Sequence, residues 1–137
     1  MTEAELVENF GLLSDWEDKY AYLIELGQGL AAFPEADKTE ANKVQGCQSQ
    51  VWLTARQEGG KYFFNATSDA LIVRGLEAVL LTLVNGKTAE EIQAADIQGT
   101  FEKLGLSEHL SAIRRNGFAA LIQRIKKLSS TDRNVSF

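Results

Sequence analysis

The spacing of apolar residues along this 137-residue chain changes period several times. Trp16, Tyr20, Leu23, Ile24 and Leu30 recur at three- and four-residue steps, which lines one face of an α-helix. Thr2 followed by Glu5, and Ser14 followed by Glu17, have the spacing of a capping box, in which two side chains satisfy free amides at a helix start. Two N-terminal helices are expected. Asp15, Glu17 and Asp18 favour the positive end of the second one's dipole, and Gly27 and Gly29 weaken its last turn.

The stretch from Phe33 to Lys43 holds the only proline among polar residues and suits a surface connection. From Gln50 to Gln57 the period becomes two, with Val51, Leu53 and Ala55 on one face and Trp52, Thr54 and Arg56 on the other. Glu58, Gly59 and Gly60 supply turn chemistry, and "KYFFNAT" (61–67) is aromatic-rich, so an antiparallel hairpin is expected.

Helical spacing then returns. "ALIVRGLEAVLLTLV", Ala70 to Val84, is interrupted by Arg74 and Glu77 and is too short to cross a bilayer comfortably, so it predicts a buried helix. Ser68 or Asp69 is expected to cap it, and Asn85-Gly86 to end it. Thr88 with Glu91 opens a short helix through Ile92 and Ala95, and Ser107 starts another. Phe118, Leu121, Ile122, Ile125 and Leu128 lie at helical steps beside Arg124, Lys126 and Lys127, predicting a closing amphipathic helix and a frayed tail from about residue 129. Helices, a small meander and more helices describe an α+β domain spanning 1–137, with no internal repeat.

Composition narrows the class. Hydrophobic residues make up 45% and charged residues 24%, values of a folding globular chain rather than a disordered one. The net charge of −5 is unevenly spread: residues 1–40 carry net −8 and residues 101–137 net +4. An acidic surface repels phosphate, and the basic segment lacks interleaved aromatics for base stacking, which disfavours nucleic-acid binding. The asymmetry suits a polarised protein partner or a merely solvated surface. A single cysteine excludes an intramolecular disulfide, and the acidic "MTEAELVENF" is unlike a secretory signal, so cytoplasmic localisation is expected.

That cysteine, Cys47, lies in "VQGCQSQVW" (44–52), between Gly46 and the polar residues Gln48, Ser49 and Gln50. A lone cysteine is commonly an inert core residue. Here the glycine and polar neighbours predict a loop tip just ahead of the hairpin, where a thiol can be reached. Loop amides, the Gln48 and Ser49 side chains or a nearby arginine are candidates to raise its thiolate fraction. Hydrolytic use would need a histidine, and the only one is His109, for which a helix-surface or capping role is the simpler account. A metal or cluster scaffold would need several thiolates. An isolated nucleophilic sulfur can still exchange, taking a sulfur atom from one thiol and losing it to another.

The ordered motifs "WEDKYAYLIELGQGL", "VQGCQSQVWL", "SDALIVRGLEAVLLTLVNGKTAEEI", "FEKLGLSEHLS" and "RRNGF" closely resemble the SufE/CsdE-type sulfur acceptors of cysteine desulfurases, over about residues 5–128. The resemblance implies an α+β fold of SufE/NifU type with a three-stranded antiparallel sheet, "NKVQ" (42–45) being its first short strand. It makes Cys47 the acceptor of persulfide sulfur from a pyridoxal-phosphate-dependent, SufS/CsdA-like cysteine desulfurase. The chain would also stimulate that enzyme and pass sulfur to an iron-sulfur cluster scaffold or, for CsdE-like members, another route such as transfer RNA modification. No cofactor of its own is implied, since the pyridoxal phosphate belongs to the desulfurase, and no membrane or nucleic acid is involved.

The same resemblance implies a loop partly shielded until docking, with Gly46 as its hinge. It also puts Asp69, Arg74 and Arg114 near the loop or the partner surface. Arg115, beside Arg114, departs from the commonest family pattern. A carrier and activator is thus expected rather than a stand-alone enzyme. A thiol enzyme using Cys47 with His109, or a binding module that activates by docking alone, are the rivals.

Overall fold

The computed structural model describes residues 1–47, 49–107 and 112–135, and for 112–114 and 131–135 the backbone alone. Two helices, α1 (Glu3–Gly11) and α2 (Trp16–Gln28), lead to a connection containing one 3-10 turn (Glu35–Asp37). The hairpin β1 (Val51–Glu58) and β2 (Lys61–Ser68) follows, then α3 (Leu71–Val84), the two-residue strand β3 (Lys87–Thr88), and the helices α4 (Ala89–Ala94), α5 (Ile97–Lys103) and α6 (Ala112–Val135). This is an α+β fold whose three-stranded antiparallel sheet has the order β1-β2-β3.

The capping box at Thr2 forms as its spacing dictates, with Glu5 N–H donating to Thr2 Oγ1 and Thr2 N–H to Glu5 Oε1, both at 3.2 Å. The second helix starts one residue later than expected. Asp15, not Ser14, is its N-cap, accepting from Asp18 N–H at 2.9 Å. Either residue type can cap, and Asp15 is the one whose oxygen reaches the third helical amide. Thr88 and Glu91 form the other expected capping box, and α5, which no periodicity marked, is capped by Asp96.

The hairpin pairs in full register from Val51↔Ser68 to Glu58↔Lys61. Gly59 and Gly60 both have positive φ, the twist that a tight two-residue turn requires. Val51 and Leu53 are buried as expected, but Ala55 is exposed, because β1 runs past the edge of the core in its second half. The third strand is not the expected "NKVQ". That segment makes only an isolated bridge, Lys43↔Trp52, with Val44 N–H donating to Val51 O and Leu53 N–H to Asn42 O, both at 2.9 Å. The sheet is instead completed at its other edge by Lys87–Thr88 against Lys61 and Tyr62. Asn85 prepares that edge: its side chain accepts from Phe64 N–H at 2.7 Å and donates back to Phe64 O at 3.3 Å, imitating a paired strand residue.

The core gathers under α3, with Leu6, Leu23, Val79, Leu80, Ile92 and Ile125 all fully buried. The seam between α2 and α3 depends on glycine. A Cβ on Gly27 would lie 2.7 Å from Gly75 N, and one on Gly75 would lie 2.6 Å from the Leu23 carbonyl carbon. Gly27 therefore serves a close helix contact rather than weakening a helix end. Lys126 Nζ donates to the carbonyls of Gln93 and Ala95 at the end of α4, and Phe118 packs on Phe101 at 4.2 Å between ring centroids, which sets α6 across the domain. The α6 backbone stays helical through Val135, into the stretch where a frayed tail was expected. Among the described residues, no helix is long and apolar enough to cross a membrane.

Candidate functional site

Cys47 sits where the connection from the 3-10 turn doubles back into β1. Val44 is buried, Gln45 and Gly46 are exposed at a turn, and Cys47 is half-buried beyond them. Gly46 has φ +93, a conformation costly for any residue with a Cβ, and an added Cβ would meet Ala120 Cβ of α6 at 3.3 Å. The turn is thus both left-handed and pressed on α6. The thiol donates to Gly117 O of α6 at 3.4 Å. A Cβ on Gly117 would come within 3.4 Å of Sγ and 3.5 Å of Cys47 Cα, so the absence of that atom is what lets the loop lie so close.

Both arms of the loop are tied down. On the incoming arm the Arg124 guanidinium of α6 donates to Ala41 O at 2.6 Å and Lys43 O at 3.4 Å. On the outgoing arm Gln50 N–H donates to Asp69 Oδ1 at 3.1 Å and Asp69 N–H to Gln50 O at 3.3 Å. Asp69 is therefore a loop tie and not the helix cap the sequence offered. Ser68 Oγ accepts from Ala70 N–H, and α3 starts at Ala70 with no side-chain cap of its own.

The electrostatics run against the expectation of an activated thiol. Burial raises the Cys47 pKa above its ordinary value, and the Glu77 carboxylate of α3 raises it further. Glu77 itself is completely buried, and neither of its carboxyl oxygens has a hydrogen-bond partner. Burial pushes that carboxyl up to about 8, with Arg74 pulling the other way. With the loop in place, Cys47 is kept as an uncharged, weakly nucleophilic thiol.

The fold gathers Gly46, Cys47 and Ser49 in one loop and brings Asp69 to its outgoing arm. Arg74 lies one helical turn from Glu77 on α3, part-buried and packed near Gly27 of α2, with Nε unpaired. Arg115 is exposed on α6, one turn or less from Gly117, where the thiol is held. Arg114 lies in α6, but its side chain is outside the described residues, as are Gln48, His109 and the helix start expected after Ser107. Three contributors escaped the sequence reading: Gly117, Arg124 and Glu77. Only Glu77 had left a local sign, as an acid inside the most apolar run. Among the described residues no group of three or more histidine, cysteine or acidic side chains is arranged to hold a metal.

A family model described as "SufE: Fe-S metabolism associated domain" matches residues 4–129. The chain is 47% identical over 126 residues to an uncharacterized SufE-like protein of Rhizobium meliloti, covering 89% of this chain and 90% of that protein. It is 44% identical over 127 residues to another from Rhizobium etli, covering 90% and 86%. The solution structure of a hypothetical protein from Thermus thermophilus superposes with a TM-score of 0.76 at 22% identity, covering 96% of this chain and 97% of that one, a likeness of fold.

Proposed function

The chain belongs to the SufE family, which implies a sulfur-transfer role in Fe-S metabolism alongside a cysteine desulfurase, and on that premise we propose that Cys47 is the sulfur-accepting group. The observation that carries this reading is a half-buried thiol on a left-handed glycine turn, hydrogen-bonded to a backbone carbonyl. Among the described residues it has no acid or base in hydrogen-bond contact, so the geometry suits exchange with a sulfur delivered from outside better than hydrolysis.

In the transfer, the Cys47 thiolate attacks the outer sulfur of the desulfurase persulfide. A new S–S bond forms on Cys47, the donor's S–S bond breaks, and the donor thiolate leaves with the electron pair and takes up the proton that Cys47 lost. No net oxidation occurs, and no cofactor of this chain takes part. The desulfurase is relieved of its sulfur, which is how acceptance stimulates its turnover. The sulfur on Cys47 then passes to a recipient in iron-sulfur cluster assembly. A thiol whose pKa is raised in the closed loop supports a docking-dependent step, in which the partner draws Cys47 away from Gly117 and Glu77.

Incubation with a cysteine desulfurase and free cysteine is expected to add the mass of one sulfur atom to the native chain and none to Cys47→Ser. An unchanged native mass, or the same gain on the serine variant, overturns the assignment.

A further inference from the structure

Glu77 is an unusual residue to find in the middle of α3. It has no exposure, both carboxyl oxygens are unpaired, and replacing it with an apolar residue would complete the run "LIVRGLEAVLLTLV". Burying an ionisable group without partners costs several kcal/mol unless the group gives up its charge. Such a residue stabilises nothing by its position, which directs attention to what it acts on. It acts on Cys47.

We propose that Glu77 is a positioning residue for sulfur acceptance, an electrostatic catch that holds Cys47 as an uncharged thiol while the loop is closed on α6 and releases it when docking lifts the loop away. The inference rests on Cys47 being the sulfur acceptor but adds a residue to that reading. An anion on Cys47 and an anion on Glu77 would share one water-poor space. The two charges therefore exclude one another, and the loop must move before both can form.

The surroundings leave little else to set this balance. On α3 itself Arg74 lies one turn away and draws the Glu77 carboxyl downward. From α1 and α2 the inward residues are apolar, Leu6, Phe10 and Leu23. β2 adds the titratable Tyr62 on its core face. On α6, Arg115 is exposed, and Arg124 is engaged with the carbonyls of Ala41 and Lys43.

The catch has a pH signature. Glu77 is largely protonated below about pH 7 and ionised above about pH 9, given its carboxyl at about 8. Only in the upper range does it carry the charge that opposes a thiolate on Cys47. The test is the rate of Cys47 alkylation by iodoacetamide against pH, in the full native chain and in Glu77→Gln, with no desulfurase present. The rates are expected to coincide at about pH 6.5 and to separate progressively above about pH 8, the variant reacting several-fold faster at about pH 9. Equal rates at every pH overturn the proposal, as does a variant faster by one constant factor throughout, which would report a loosened loop.

A second measurement needs no change at position 77. In Cys47→Ser the side-chain carboxyl carbon of Glu77, followed by NMR, is expected to titrate near pH 8, and titration in the ordinary carboxylate range overturns the proposal. Neither readout involves sulfur transfer, so a failure here is separable from a failure of Cys47 as acceptor.

Discussion

Two places in this molecule depend on glycine for a close approach, and they differ in what presses on them. At the α2–α3 seam the neighbours of Gly27 and Gly75 are backbone atoms: a Cβ would stand 2.7 Å from Gly75 N in one case and 2.6 Å from the Leu23 carbonyl carbon in the other. At the cysteine loop the neighbours of Gly46 and Gly117 are mainly side-chain atoms, the Ala120 Cβ at 3.3 Å and the Cys47 Sγ at 3.4 Å. Backbone inside two packed helices cannot give way, whereas a loop can move off a helix. The seam is a fixed frame, and the loop is a part held against it by separable contacts. An acceptor that must present its sulfur to another protein needs both properties, in different places.

The seam should give the largest response. Gly75→Ala gains about 1 kcal/mol of helix propensity, since glycine is the poorer helix former by that amount. The overlap with Leu23 costs more, because overpacking a tight interface costs about 1–3 kcal/mol and the backbone here offers no relief. A net loss of about 2 kcal/mol in urea unfolding is expected. Alkylation of Cys47 under native conditions should stay at the wild-type rate. A neutral or stabilising result would mean that the helices can separate and that the frame is not fixed.

The loop should respond in the opposite sense. At Gly46 a side chain meets both the φ of +93, which costs about 1–2 kcal/mol, and the Ala120 methyl. Gly46→Ala is expected to lower stability by about 1 kcal/mol, less than the local strain, because the turn can relax by leaving α6. That escape is the useful observable, since Cys47 would alkylate faster in the variant at every pH. A loss of stability with an unchanged alkylation rate would instead place the loop in the rigid frame.

The same contrast explains which features the chain disclosed and which it hid. The hairpin was legible because its cause is local: alternation through Val51 and Leu53, then two adjacent glycines whose positive φ closes the turn. The capping boxes at Thr2 and Thr88 were legible for the same reason, their partners lying three residues away. Cys47 could be singled out by its glycine and polar neighbours alone. Its setting could not, because the thiol's hydrogen-bond acceptor lies 70 residues further on, and Arg124 reaches back 81 and 83 residues to its two carbonyls.

The third strand was misplaced for a related reason. Two residues carry no periodicity, and what creates the edge at Lys87–Thr88 is the Asn85 side chain bonded to Phe64. Asp69 was misassigned as a cap because the residue type suits a helix start as well as a loop tie, and only the approach of Gln50 decides.

The smallest expected effect tests whether the loop's two arms are held independently of its tip. Arg124 donates to Ala41 O and Lys43 O from the helix that also carries Gly117 and Ala120, so it ties the incoming arm to the same element that the thiol touches. The site is partly open to water, where a hydrogen bond contributes about 1 kcal/mol or less. Arg124→Ala should therefore lower stability by under about 1 kcal/mol, a shift that urea unfolding barely resolves. Its effect on the thiol should be plainer: with one tie removed, Cys47 is expected to alkylate faster than in the native chain but more slowly than in Gly46→Ala, where the turn itself is displaced. Arg124→Lys keeps the charge but loses the planar fork that reaches two carbonyls at once, and should fall between the native chain and the alanine variant. If Arg124→Ala leaves the thiol as protected as before, the incoming arm is held by the Val44 and Asn42 pairing with β1 alone, and α6 grips the loop only at its tip.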